Sequence, residues 1–383
     1  MQRLYFLLVF ITLGCSNQAQ EQQRSILPGA YQTDDYLPLI EDKKVGLTVN
    51  HSSLIEGTHL TDSLQSLGIN IKKVFTPEHG FTGTISDGVK VEYENSESSF
   101  ELISLYGENK KPSTEQMNGI EIMIFDIQDV GTRFYTYIST MHYVMEACAE
   151  NDIPLLIFDR PNPNGSYVDG PVLDTALSSF VGMHPIPIVH GMTVGELAQM
   201  INEEGWLKNQ VKTDLKIIKT RNWNHQKRYS LPVNPSPNLP NDLSIALYPS
   251  LCLFEGTIMS VGRGTDYAFQ QIGHPDYPDT THSFTPVSRE GAKWPPYEDQ
   301  RCYGLSWIGK QPSYAFSLQP LIEAYKKMNR DDFFNDYFKR LAGTNSLQKQ
   351  IEEGQTEEEV RASWEPALSN FKKKRKQYLL YKD

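Results

Sequence analysis

The sequence predicts an α/β protein, a doubly wound and mostly parallel sheet followed by a smaller C-terminal domain of α/β or α+β character. Three observations predict it. Short apolar runs alternate along the chain with amphipathic ones, which is the pattern of strands separated by crossover helices. The apolar runs are unbroken rather than alternating, as in strands buried on both faces. A proline-rich stretch then separates this regular region from a less regular one. At 383 residues and 39% hydrophobic content the chain is long enough for two domains with a sizeable core.

The first fifteen residues read as an address: Arg3 is the positive start, Leu4 to Leu13 the apolar stretch, and Gly14–Cys15 the end. A run this short cannot span a bilayer as a stable helix. Cys15 after a small residue matches a bacterial lipoprotein cleavage site, with Thr12 standing where leucine is usual; an ordinary secretory signal is the alternative. Residues 16–38 are expected to be a tether. The protein is then exported and lipid-anchored in the periplasm or cell envelope, touching membrane only through that lipid.

Residues 39–238 are expected to form the larger domain. Lys44 to Asn50, Ile69 to Phe75, Glu121 to Ile127, Ile153 to Asp159 and Leu215 to Lys219 read as its strands. Thr61 to Leu67, Ser139 to Glu150 and Thr193 to Trp206 carry helical spacing, and Thr193 with Glu196 fits a capping box. Leu231 to Asp242, with four prolines, is either a linker or an ordered crossing. Residues 239–383 form the second domain, with helices near Leu318 to Lys327, Asp331 to Leu341 and Thr356 to Tyr378.

Charge and motifs exclude several function classes. With 36 basic and 47 acidic residues, net −11, a nucleic-acid partner is not expected, because phosphate neutralisation needs a basic face. The basic run Lys372 to Lys376 reads as a solvated helix face. Cys148, Cys252 and Cys302 have no metal-ligand spacing and read as buried thiols. No G-x-G-x-x-G, P-loop, G-x-S-x-G or H-E-x-x-H motif occurs, so no cofactor is predicted. Zinc held by His79, His190 and an aspartate stays as a minor alternative.

Polar residues stand at the carboxyl end of four expected strands: Asn50–His51, Glu78–His79, Asp126 with Asp129, and Asp159–Arg160. In an open α/β sheet this edge is where ligands bind, so the four ends converge on one rim. Asn50, Asn162 and Asn164 read equally well as turn formers. Glu78 and His79 are not preferred turn residues, and an acid beside a histidine also reads as a structural pair. Glycoside cleavage fits the set: it needs a carboxylic acid for the leaving oxygen and a second group at the anomeric carbon. Tyr135 and Tyr137 would stack on sugar faces or pack in the core. His190 would lend an imidazole or serve as a local hydrogen-bond partner. Arg133, Arg160 and Arg263 are the candidates for a substrate carboxylate.

The ordered stretches GLTVNHSS, FTPEHGFTG, FDIQDVGTRFYTYISTM, FDRPNPNG, DGPVLD, HGMTVGELA, PSPNLP, FEGTIMSVGRGT and QPSYAFSLQPLIEAY closely resemble the exo-β-N-acetylmuramidases of the NamZ type, from about residue 46 to about residue 325. The resemblance implies a Rossmann-like N-terminal domain, a smaller C-terminal domain and a cleft between them. It implies release of N-acetylmuramic acid from the non-reducing end of peptidoglycan-derived saccharides, with Glu78 of the P-E-H-G-F motif as the catalytic glutamate. On this reading Glu78 is the general acid, its pKa raised by partial burial, His79 orients it, and Asp126 or Asp129 takes the second role. Attack by the substrate's own acetamido group and attack by a protein carboxylate both remain open. A non-catalytic lipoprotein that captures muropeptides or sugars is the competing class, and no pattern in the chain specifies an oligomeric state.

Overall fold

The computed structural model describes residues 25–77, 80–81 and 100–383. The large sheet has six strands: β1 (Lys44–Val49), β2 (Asn70–Thr76), β3 (Glu101–Ser104), β4 (Ile122–Asp126), β5 (Leu155–Phe158) and β6 (Leu215–Ile218). Their spatial order is β3-β2-β1-β4-β5-β6 and every pairing is parallel. This is the doubly wound Rossmann order, and the chain reverses direction across the sheet between β1 and β4. Successive residues serve opposite faces, as strand geometry requires. Ile122 and Ile124 of β4 join one apolar cluster, while Met123 and Phe125 join the other. The edge strand β3 carries no unbroken apolar run, because only Ile103 of its four residues is buried.

Among the helices that pack on this sheet are α1 (Leu60–Ser66), α2 (Tyr137–Glu150) and α3 (Val194–Glu203). At α3 the capping box closes in both directions, the Thr193 amide donating to Glu196 at 2.9 Å and the Glu196 amide to the Thr193 hydroxyl at 3.2 Å.

From Ser25 onward the expected tether is part of the fold. Thr33–Ile40 is a helix with Tyr36 and Ile40 buried, and Tyr36 packs on Phe158 with ring centroids 4.4 Å apart. The Gly29 amide donates to the Asp159 carbonyl at 2.7 Å. A Cβ there would lie 2.3 Å from the Ile218 carbonyl, so glycine alone fits. The rings of Tyr31 and Tyr36 find an apolar face that a polar composition does not announce. Cys15 lies outside the described residues.

The proline-rich stretch is an ordered crossing. Asn234 accepts a hydrogen bond from His51 Nε2 at 2.8 Å, Pro235 one from the Tyr135 hydroxyl at 2.7 Å, and Asn238 donates to the Gly291 carbonyl at 2.9 Å. It leads into α4 (Asp242–Leu251) and a three-stranded antiparallel sheet of β7 (Gln271–His274), β8 (Ser283–Phe284) and β9 (Cys302–Ser306). Helices α5 (Gln319–Met328), α6 (Phe338–Ala342), α7 (Ser346–Glu352) and α8 (Glu357–Arg375) follow. The helix expected over Asp331 to Leu341 begins only at Phe338, because Phe334 bridges Thr257 and the Asn335 amide donates to the Gly256 carbonyl.

The last helix returns to the first domain. Arg361 grips Asp169 at 2.8 and 2.9 Å, and Tyr381 donates to Asp159 at 2.6 Å. The basic run is therefore only partly solvated: Arg375 is buried, with Nη2 donating to the Gly191 carbonyl at 2.6 Å and both its terminal nitrogens reaching Asp383. Cys148, Cys252 and Cys302 are buried free thiols.

Candidate active site

The carboxyl ends of β1, β4 and β5 do bring the expected polar residues together, but into an internal network rather than an open rim. Asp126 at the end of β4 is fully buried and receives Arg160 Nε at 2.6 Å and Nη2 at 2.8 Å. Asn50 accepts the Ser52 amide at 2.9 Å and the Ser52 hydroxyl at 2.6 Å, an Asx turn that closes β1. Asp159 accepts the Gly195 amide at 2.8 Å and the Thr193 hydroxyl at 2.7 Å, so it caps α3. Between β1 and β4, where a dinucleotide would lie in a nucleotide-binding relative of this fold, the chain's own side chains fill the crevice.

Asp129 and His190 are neighbours in the same interior. Asp129 Oδ2 accepts the Gly131 amide at 2.6 Å, and His190 Nε2 lies 3.9 Å from that oxygen. Burial, opposed by the Gly131 and Val130 amides, pushes the Asp129 carboxyl up to about 7. Burial, assisted by Arg375 and Arg133, pushes the His190 imidazole down to about 3. Both shifts favour the uncharged form, as burial in a sealed interior requires. Among the described residues no group of three His, Cys, Asp or Glu side chains is placed to hold a metal ion.

Arg133 is a structural residue. Its Nη1 donates to the Pro171 and Ile186 carbonyls at 2.7 and 2.9 Å, and its Nη2 to the Leu341 and Ala342 carbonyls at 3.0 and 2.8 Å. The last two are buried carbonyls at the end of α6 that lack helix partners, which a cation naturally caps. Fully buried and committed to the domain junction, this guanidinium cannot meet a substrate. Arg160 is removed from that role by its pairing with Asp126.

The open site lies beyond the rim, between the two domains. A cavity of about 630 Å³ is lined from the large domain by Phe134–Tyr137 and Lys110, from the crossing by Ser236 and Asn238, and from the second domain by Tyr248, Glu255, Arg263 and Phe269. Its rings form a continuous edge-to-face set: Tyr135 to Tyr137 at 4.9 Å, Tyr135 to Tyr248 at 5.9 Å, and Tyr248 to Phe269 at 4.9 Å. Aromatic walls with a few polar groups among them are the usual lining of a small-molecule site.

Of the expected residues, the structure brings Tyr135, Tyr137 and Arg263 to this cavity. His51 reaches the crossing, while Asn50, Asp126, Asp129, Arg133, Asp159, Arg160 and His190 are buried behind it. Glu78 and His79 lie outside the described residues. On either side of them, the chain leaves β2 at Thr76, and the Gly80 amide donates to the Pro77 carbonyl at 3.1 Å.

Glu255 is the one carboxylate among the described residues that line the cavity, and sequence reasoning passed it over. It sits on the 3-10 turn Cys252–Gly256 that follows α4, and it accepts Arg263 Nε at 2.5 Å. Its signal was present in FEGTIMSVGRGT, where the acid precedes the arginine by eight residues. Lys110, from the loop after β3, is the other residue missed.

The same order of elements occurs in known proteins. The description of the N-terminal domain of exo-β-N-acetylmuramidase NamZ matches residues 45–243, and that of its C-terminal domain matches residues 246–381. The peptidoglycan β-N-acetylmuramidase NamZ of Bacillus subtilis is 36% identical over 375 residues, covering 91% of this chain and 89% of that protein. The chain belongs to the NamZ family. It is, as a NamZ-family member, a glycoside hydrolase. A crystal structure of a DUF1343 family protein from Bacteroides fragilis, 44% identical, covers 94% of this chain and all of that one with a TM-score of 0.87. A second DUF1343 structure from the same organism, 24% identical, shares the fold with a TM-score of 0.81 over 93% of this chain. Residues from both matched halves line the cavity.

Proposed function

We propose that this protein removes N-acetylmuramic acid from the non-reducing end of peptidoglycan fragments, with Glu78 as general acid. The observation that carries the reading is the interdomain cavity, about 630 Å³ and walled by edge-to-face rings with an acid–arginine pair, in a NamZ-family chain. Its size falls in the range of about 300–1,000 Å³ typical of small-molecule sites. Glu78 passes its proton to the glycosidic oxygen as the bond to the anomeric carbon breaks, water supplies the hydroxyl that replaces the leaving saccharide, and the proton that water releases restores the acid.

The second role passes from Asp126 or Asp129 to Glu255. Both aspartates are buried away from the cavity, whereas Glu255 lines it with its side chain about one quarter exposed, 23%. A carboxylate held by Arg263 suits the positive charge that develops on the sugar ring. Cys15 as a lipid-bearing residue would keep this site outside the cytoplasm, beside its polymer; mass spectrometry of the mature N-terminus reads that directly.

Glu78→Gln, assayed by reducing-sugar release from a muramide-terminated disaccharide, tests the central claim, because a sugar alkoxide needs a proton to leave whereas an activated aryl group does not. Loss of a general acid lowers turnover by about 100- to 10,000-fold. A folded variant with near-normal turnover would sink the assignment.

A further inference from the structure

N-acetylmuramic acid differs from N-acetylglucosamine by a lactyl carboxylate, so a cavity that selects it needs a cation facing that group. Resting on the muramidase reading above, we infer that Lys110 is the residue that recognises the lactyl carboxylate.

The loop after β3 is built to aim this side chain. Asn109 Nδ2 donates to the Ser104 carbonyl at 2.8 Å and closes the turn. Lys111 is pulled away from the cavity, its ammonium held by Glu146 at 2.9 Å and Glu150 at 2.8 Å on α2. Lys110, its neighbour, lines the cavity instead, with its ammonium 4.5 Å from the centroid of the Phe180 ring, another lining residue. An aromatic face supports a cation without neutralising it.

The remaining cations near the cavity are spoken for. Arg133 and Arg160 are buried in carbonyl and carboxylate contacts, and Arg263 Nε lies 2.5 Å from Glu255. Among the described residues no carboxylate lies within ion-pair distance of Lys110, in a protein of net charge −11. Two adjacent lysines thus have opposite duties, one stapling the loop and the other presenting charge to the site.

The test compares a nitrophenyl N-acetylmuramide with its lactyl methyl ester, which keeps the shape and removes the charge. Lys110→Met should lower kcat/KM on the acid by about 10- to 100-fold, mainly through KM, and leave the ester unchanged. Lys110→Arg should restore most of the loss. Equal effects on acid and ester, or loss of the acid–ester difference in Arg263→Met rather than Lys110→Met, would overturn the assignment. Calorimetric binding of free N-acetylmuramic acid reads the same contact without turnover, so it separates this inference from the hydrolytic one. A tenfold or greater weakening in Lys110→Met supports it, and wild-type affinity in that variant overturns it whether or not the bond is cleaved.

Discussion

Glu255 and Arg263 meet at 2.5 Å in the wall shared by two cavities, the main one of about 630 Å³ and a smaller one of about 330 Å³ that also touches Pro296 and Tyr297. The pair comes from one short segment after α4, so the second domain brings to the site an acid and the cation that fixes it as one unit.

Glu255→Gln keeps the shape of that unit and removes its charge. If Glu255 steadies the developing cation, kcat on the nitrophenyl muramide should fall by about 100-fold or more with KM little changed. Unaltered kcat in a variant with normal circular dichroism would return the second role to another group.

Arg133 is expected to matter for stability and not for substrate choice. Each buried carbonyl left without its donor costs about 1–3 kcal/mol, so Arg133→Met should lose several kcal/mol. A urea midpoint close to wild type, together with a changed acid–ester preference, would contradict the structural role.

The Asp126–Arg160 pair makes the same distinction for a carboxylate. Removing one partner of a buried ion pair typically costs about 3–5 kcal/mol, because the other charge stays buried. Asp126→Asn should therefore unfold at markedly lower denaturant while its folded fraction turns over within a few-fold of wild type. Full stability with lost turnover would make Asp126 a catalytic residue after all.

Asp129 predicts a pH signature. Its pKa is raised from 3.8 to about 7 on folding, so the native state binds a proton that the unfolded chain releases. The favourable contribution is fully present below pH 4 and is lost as pH rises toward 7, at most about 4 kcal/mol. His190, lowered from 6.5 to about 3, acts in the opposite sense over the same window, so the readout is a difference between proteins. Relative to wild type, Asp129→Asn should gain stability as pH rises from 4 to 7. Parallel urea-midpoint curves across that range would show that Asp129 ionises normally in the fold.

The strands of the large sheet were legible because each must be apolar on both faces, and a run such as Ile122 to Phe125 announces that locally. The capping box at Thr193 and Glu196 was legible for the same local reason. Edge strand β3 and the helix Thr33–Ile40 were not, since each is held by partners distant in sequence.

For the site, the chain alone identified the polar strand ends, the rings at Tyr135 and Tyr137, and Arg263. Hydrogen-bonding chemistry does not reveal whether a polar side chain faces solvent or a neighbour. Asp126 and Arg160 are 34 residues apart and satisfy each other only because β4 and β5 end side by side. Arg133 Nη2 donates to two carbonyls more than 200 residues away. Local periodicity thus determined the fold of the large domain and the family motifs named the chemistry. Burial, which depends on contacts between remote segments, decided that Glu255 and Lys110 face the cavity while most of the predicted rim holds the protein together.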